Sequence, residues 1–246
     1  MEMGQAMPPR GWWEWVRLAA AVLIVAALVT QAWTTIGGAA TGGRDVATTT
    51  VNFFSFFTVL SNLLAAVALA WAGVWGLRAG RASSAEPRSI AFALVCVTTY
   101  MIITGIVYNT LLRGIPLPQG STVPWSNEVL HVVAPIVLLL DLLVAPRRRG
   151  LGWMAVAGAL AFPLAWIVYT LARGPLTVNP VSGSPWWYPY PFLDPHSFEN
   201  GYGTVWLYIA GIAVGIAAVA AFTVWVGRRR EVAGQVARQE RHPGSL

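Results

Sequence analysis

Thr58, in the run Phe56-Phe57-Thr58-Val59-Leu60-Ser61-Asn62, and His131, in His131-Val132-Val133-Ala134-Pro135, are polar groups inside stretches apolar enough to cross a membrane. A histidine in hydrocarbon is costly, and it faces a bundle interior, a water pocket or a partner. A threonine hydroxyl is a weak nucleophile that needs an adjacent base, and a neutral imidazole with an ordinary pKa of about 6.5 is suited to that task. Together the two residue types suggest chemistry inside a bilayer.

The elements that must position the pair follow from composition. The chain of 246 residues is 56% hydrophobic and 11% charged, with a mean hydropathy of +0.59 and 13 Trp, far from the roughly 25% charged content of soluble domains. Six runs of about 20 apolar residues predict an all-α polytopic membrane protein with six transmembrane helices. They fall near residues 12–36, 51–77, 89–112, 125–145, 151–172 and 202–226. Arg17 precedes the apolar run of the first, but Trp12, Trp13 and Trp15 form an interfacial belt, so an uncleaved helix is expected rather than a signal peptide.

All sixteen basic residues are Arg. In a six-span arrangement thirteen fall on one side, and only Arg44, Arg113 and Arg173 on the other. By the positive-inside rule both termini are then cytoplasmic, and the loop near 174–200 is extracytoplasmic. The tail from 228 to 246 opens with Arg228-Arg229-Arg230 and reads as a stop-transfer anchor followed by a frayed or short surface helix. The net charge of +6 thus reports topology, and nucleic acid is not an expected partner. The Ala/Gly/Arg bias without Lys suggests a bacterial cytoplasmic membrane.

Thr58 lies seven residues and His131 six residues into spans that both run inward. At 1.5 Å per residue both are roughly 9–10 Å below the outer surface, in the outer half of the bilayer. On the second span Ser55, Thr58, Ser61 and Asn62 share a polar arc, a pattern that serves helix–helix adhesion as well as a site. On the fourth span His131 has Asn127 one turn above and Pro135 one turn below. Pro135 is expected to kink the helix and free the His131 carbonyl. The third span brings Tyr108 and Asn109 to the same level. Ser55, Asn62, Tyr108, Asn109 and Asn127 are therefore candidates to orient His131 or to stabilise an oxyanion, with a structural hydrogen-bonding role open for each. Asp141, about 15 Å farther along the axis, is expected to pair with a neighbouring helix or with the Arg147–Arg149 cluster.

The loop at 174–200 contains Trp186-Trp187-Tyr188-Pro189-Tyr190-Pro191-Phe192, with Asp194 and His196 following. It reads as a rigid aromatic lid, with Trp187, Tyr188 and His196 as candidate rim residues. The single cysteine, Cys96, lies mid-helix and reads as a small core residue. The three histidines, His131 in a span, His196 in the loop and His242 in the tail, lie far apart in the sequence, so neither a metal nor another cofactor is expected.

Phe57-Thr58-Val59-Leu60-Ser61-Asn62-Leu63, then His131-Val132-Val133-Ala134-Pro135 leading to Asp141, then Trp187-Tyr188-Pro189 to Leu193, resemble three successive signatures of the androgen-induced and androgen-dependent TFPI-regulating membrane proteins and their six-span bacterial relatives. In the characterised members an intramembrane threonine and histidine hydrolyse fatty acid esters of hydroxy fatty acids. The resemblance implies Thr58 as nucleophile, His131 as base, an acyl-enzyme intermediate and a lipid or fatty-acyl ester substrate. Asp141 stands where those proteins carry Glu, and the aromatic loop is longer here. A transporter or ligand-binding bundle that holds a molecule through His131 and Thr58 is the alternative from another class, and a purely structural scaffold is a third.

Overall fold

The computed structural model describes residues 11–79, 85–115 and 122–241, the last eight by backbone alone. Among them no strand occurs, and six helical stretches are long and apolar enough to cross a membrane: Trp12–Thr41, Phe57–Ala79, Arg88–Leu112, Pro124–Val144, Met154–Leu176 and Tyr202–Ala233. The protein is an all-α integral membrane protein.

The helices are α1 (Trp12–Thr41), α2 (Val46–Ser55), α3 (Phe57–Ala79), α4 (Arg88–Val107), α5 (Pro124–Glu128), α6 (Ala134–Val144), α7 (Met154–Arg173) and α8 (Tyr202–Arg241). In lipid the tails are as apolar as the side chains, so helices associate through close packing and hydrogen bonds rather than through the hydrophobic effect. α1 and α3 use small residues for this. A Cβ added at Gly73 would lie 2.9 Å from Leu18 Cγ, and one at Gly76 would lie 2.5 Å from Glu14 Cγ. α4 sits centrally, against α3, α6, α7 and α8, and carries the unbroken buried series Leu94 to Met101.

The second hydrophobic run is not one helix from 51 to 77. It divides at Phe56, whose extended backbone (φ −69°, ψ 129°) separates α2 from α3. Neither Gly nor Pro stands there. The break persists because groups far away in sequence satisfy the freed backbone: Trp166 Nε1–H donates to the Ser55 carbonyl at 2.9 Å, and the Thr58 N–H donates to Tyr190 Oη at 3.2 Å. The Phe56 ring meets Trp187 and Tyr190 edge to face. Asp45 caps α2 by accepting from the N–H groups of Ala47 and Thr48, a stabilising N-cap arrangement.

At the end opposite Thr58, buried charges tie the bundle together. Asp141 accepts from Trp13 Nε1 at 2.7 Å and from Arg17 Nε at 2.6 Å, and Arg148 reaches its other oxygen at 3.1 Å. Arg17 also pairs with Glu86 at 2.6 Å. Asp141 therefore has both expected kinds of partner, a neighbouring helix and the arginine cluster. The last helix departs from expectation. No short surface helix follows the arginine run: α8 continues without interruption to Arg241, where Arg230 donates to the Leu142 and Ala145 carbonyls at 2.6 and 2.7 Å. Residues 242–246 lie outside the described residues.

Candidate functional site

The break at Phe56 puts Thr58 in the first turn of α3, and a different irregularity sets His131. Val129–Val133 forms a π-helical turn between α5 and α6, and Tyr108–Leu112 forms another at the end of α4; single π turns inside helices frequently mark functional sites. Pro135 has no N–H, so the His131 carbonyl is left without its helical donor, and Asn109 Nδ2 approaches it at 3.4 Å. Gly105 makes room for this crossing, since a Cβ there would lie 3.1 Å from Pro135 Cβ.

Thr58 Oγ1 lies 3.2 Å from His131 Nε2. Both residues are 8% exposed. His131 Nδ1 is 2.9 Å from the Asn127 carbonyl oxygen. A carbonyl can only accept, so Nδ1 carries the proton, and the neutral ring presents the Nε2 lone pair to Thr58. The hydroxyl of Thr58 then donates to Nε2. Its oxygen lies 3.2 Å from Tyr190 Oη, which already receives the Thr58 N–H. The Tyr190 hydroxyl must therefore donate to Thr58 Oγ1, and one directional chain runs from Tyr190 through Thr58 and His131 to Asn127. Burial pushes the Tyr190 phenol above its ordinary pKa, against the hydrogen bonds from Thr58, so it stays protonated and remains a donor.

The surrounding residues fix this chain. The Tyr108 ring stacks on His131 with centroids 4.0 Å apart and planes 24° from parallel, and the Asn127 side-chain amide donates to the Tyr108 hydroxyl. Asn62 Nδ2 donates to the Thr58 carbonyl at 2.9 Å and to the Leu130 carbonyl at 3.2 Å, joining the helix of the hydroxyl to that of the imidazole. α5 is fastened to α1 by Ser126 Oγ, which donates to the Ala27 carbonyl at 2.8 Å.

Of the residues singled out from sequence, Thr58, His131, Tyr108, Asn62 and Asn127 meet. Asn127 orients His131 with its backbone carbonyl, whereas its side chain serves Tyr108. Asn62 and Asn109 spend their amide N–H groups on carbonyls, so neither is aimed at a reacting group. Ser55 does not share an arc with Thr58, because the helix breaks between them; it bonds to the Val51 carbonyl and lies 2.8 Å from the Tyr169 hydroxyl. The three candidate rim residues stand elsewhere. Trp187 packs on Phe56, Tyr188 bonds to Tyr202 at 2.9 Å, and His196 stacks on Trp186 while bonding to Asp194. The loop instead inserts Tyr190, Phe192 and Leu193. Tyr190 is the residue that sequence reasoning missed. The usable signal was its place between Pro189 and Pro191, since a residue before proline is held extended; its backbone is extended, at φ −137° and ψ 143°.

Comparison with protein-family models, with curated proteins and with solved structures found no match.

Proposed function

We propose that this protein is an intramembrane hydrolase that cleaves lipid esters through Thr58 as nucleophile and His131 as general base. The observation that carries the reading is the directional chain in which Nδ1–H is committed to the Asn127 carbonyl and Nε2 faces the Thr58 hydroxyl at 3.2 Å. A base held in the correct tautomer by a second acceptor is the arrangement that activates hydroxyl nucleophiles. The motif resemblance to the androgen-induced and androgen-dependent TFPI-regulating proteins supports the same pair and a fatty-acyl ester as substrate.

In the first half-reaction Thr58 Oγ1 bonds to the ester carbonyl carbon as its proton passes to His131 Nε2. Collapse of the tetrahedral intermediate breaks the bond to the alcohol oxygen, which takes that proton. In the second, water bonds to the acyl carbon, His131 accepts a water proton, and Thr58 leaves with it as a free hydroxyl. As Thr58 Oγ1 becomes bonded to the acyl carbon and loses its basicity, the Tyr190 hydroxyl, 3.2 Å from it, turns its proton to the adjacent carbonyl oxygen, where the negative charge develops.

The arginine distribution supports both termini inside and a site in the outer half of the bilayer, and the Ala/Gly/Arg bias without Lys supports a bacterial cytoplasmic membrane. The buried Arg17, Asp141 and Arg148 network at the other end favours a fixed bundle over a transporter with a polar path through both halves. The test is hydrolysis of a panel of fatty-acyl esters by the purified chain in liposomes. Turnover by the wild type that Thr58→Ala abolishes is expected; equal turnover by both would reject the assignment.

A further inference from the structure

Thr58 and Tyr190 stand between two cavities, and His131 lines only one of them. The first, about 790 Å³ including the space at its mouth, lies among α4, α7 and α8, where Leu164, Ile209, Ile212 and Ala213 give it apolar walls. The second, about 470 Å³, lies toward α1, α2 and α5; Gln31, Thr35, Thr122 and Asn127 line it beside His131. The stretch of α8 along the first cavity, from Ile209 to Ile216, is about 10 Å long at the helical rise.

We propose that the first cavity holds the acyl chain of the substrate and the second holds the alcohol portion, so that the protein takes esters of aliphatic acids with polar alcohols. This rests on the hydrolase reading of the same site. The direction follows from proton transfer. The proton that His131 Nε2 takes from Thr58 must reach the leaving alcohol oxygen as its bond to the carbonyl carbon breaks, so that oxygen has to lie on the side of Thr58 that His131 faces. The acyl chain is then left with the other side, which is apolar and lies between sparsely buried helices whose Val168 and Val214 face outward. The same constraint applies to deacylation. Water must approach where His131 can accept its proton, and of the two cavities the second is the one that His131 lines, its polar residues set among the apolar Phe53, Phe56, Val59 and Leu130. Once the alcohol departs, its space becomes the water site, while the acyl chain stays in the apolar cleft. Gln31 is held by its own bonds, donating to Thr35 Oγ1 at 3.1 Å and accepting from the Val123 N–H at 3.0 Å, so the hydroxyls of Thr35 and Thr122 are the polar groups that an alcohol with further hydroxyl or carbonyl groups would meet.

The test uses the full chain in liposomes with two substrate series: p-nitrophenyl butanoate, octanoate and dodecanoate to vary the acyl chain, and octanoate esters of methanol, glycerol and a hydroxy acid to vary the alcohol. Ala213→Trp fills the first cavity and is expected to lower the dodecanoate-to-butanoate ratio of kcat/KM by roughly tenfold. Ile212→Ala, which enlarges it, should raise that ratio and keeps the test open if the tryptophan variant does not fold. Thr35→Leu fills the second cavity and should change the order of preference among alcohols while leaving the acyl ratio as in the wild type. Turnover with an acyl ratio unmoved by Ala213→Trp and Ile212→Ala, or moved by Thr35→Leu instead, would overturn the partition alone. Absence of turnover with every ester, together with absence of any acyl adduct on Thr58, would overturn the hydrolase reading and this inference with it.

Discussion

His131 donates its Nδ1–H to the carbonyl oxygen of Asn127, four residues earlier on the same strand of helix and 2.9 Å away. That backbone contact does the orienting that a carboxylate performs in Ser-His-Asp triads. It fixes the tautomer without placing a second charge in the membrane, where an ionised carboxylate would be costly. Four consequences can be measured.

Tyr190→Phe removes the hydroxyl that donates to Thr58 Oγ1 and leaves the ring contacts with Phe56 and Phe192 in place. Loss of one donor at a developing oxyanion costs about a hundredfold in kcat. Steady-state kinetics with a soluble ester should show that loss in kcat rather than in KM, and thermal unfolding should also fall, because the Thr58 N–H loses its acceptor at a cost of about 1–3 kcal/mol.

Asn62→Ala cuts the link between the Thr58 and Leu130 carbonyls. Leaving a buried acceptor without its donor costs about 1–3 kcal/mol. Lower stability in detergent is expected, accompanied by a loss of kcat, because the variant loosens the two helices that carry the reacting groups.

Asp141→Ala leaves Arg17 and Arg148 without their shared carboxylate among side chains at most 3% exposed. Removing one partner from a buried ionic group costs on the order of 3–5 kcal/mol. A fall in unfolding temperature is expected, with kcat of the folded fraction within a few fold of wild type, since this network lies at the opposite end from Thr58.

Catalysis requires the neutral imidazole, because only that form has the lone pair facing Thr58. As pH falls through the titration of His131, kcat/KM should decline about tenfold per unit, and raising the pH should restore it. A flat profile over that range, with the protein folded throughout, would remove His131 as the base.

The spans and the two central residues were legible because each depends on short-range pattern. Hydropathy marks helices long enough to cross a membrane, and a histidine among Leu, Val and Ala is conspicuous. The turn at Phe56 was not legible: its sequence reads as continuous helix, and the partners that hold it open, Trp166 and Tyr190, are more than 100 residues away. The aromatic loop was visible as a lid, yet Trp187 and Tyr188 are as aromatic as Tyr190. Only the backbone path through alternating prolines decides which hydroxyl reaches Thr58. Pro135 gave a usable local signal, since its missing N–H predicts a free His131 carbonyl, the one that Asn109 approaches. Asn127 was found for its side chain, whereas its backbone carbonyl holds the histidine, a role open to any residue at that position.

The central claim is that the Thr58 hydroxyl is an activated nucleophile. Its most direct test is treatment of the detergent-purified protein with an alkyl fluorophosphonate, followed by intact and peptide mass analysis of the wild type, Thr58→Ala and His131→Ala. A single adduct on Thr58, absent from both folded variants, is the expected result. An unlabelled Thr58 in folded wild type, or equal labelling when His131 is replaced by alanine, would contradict it.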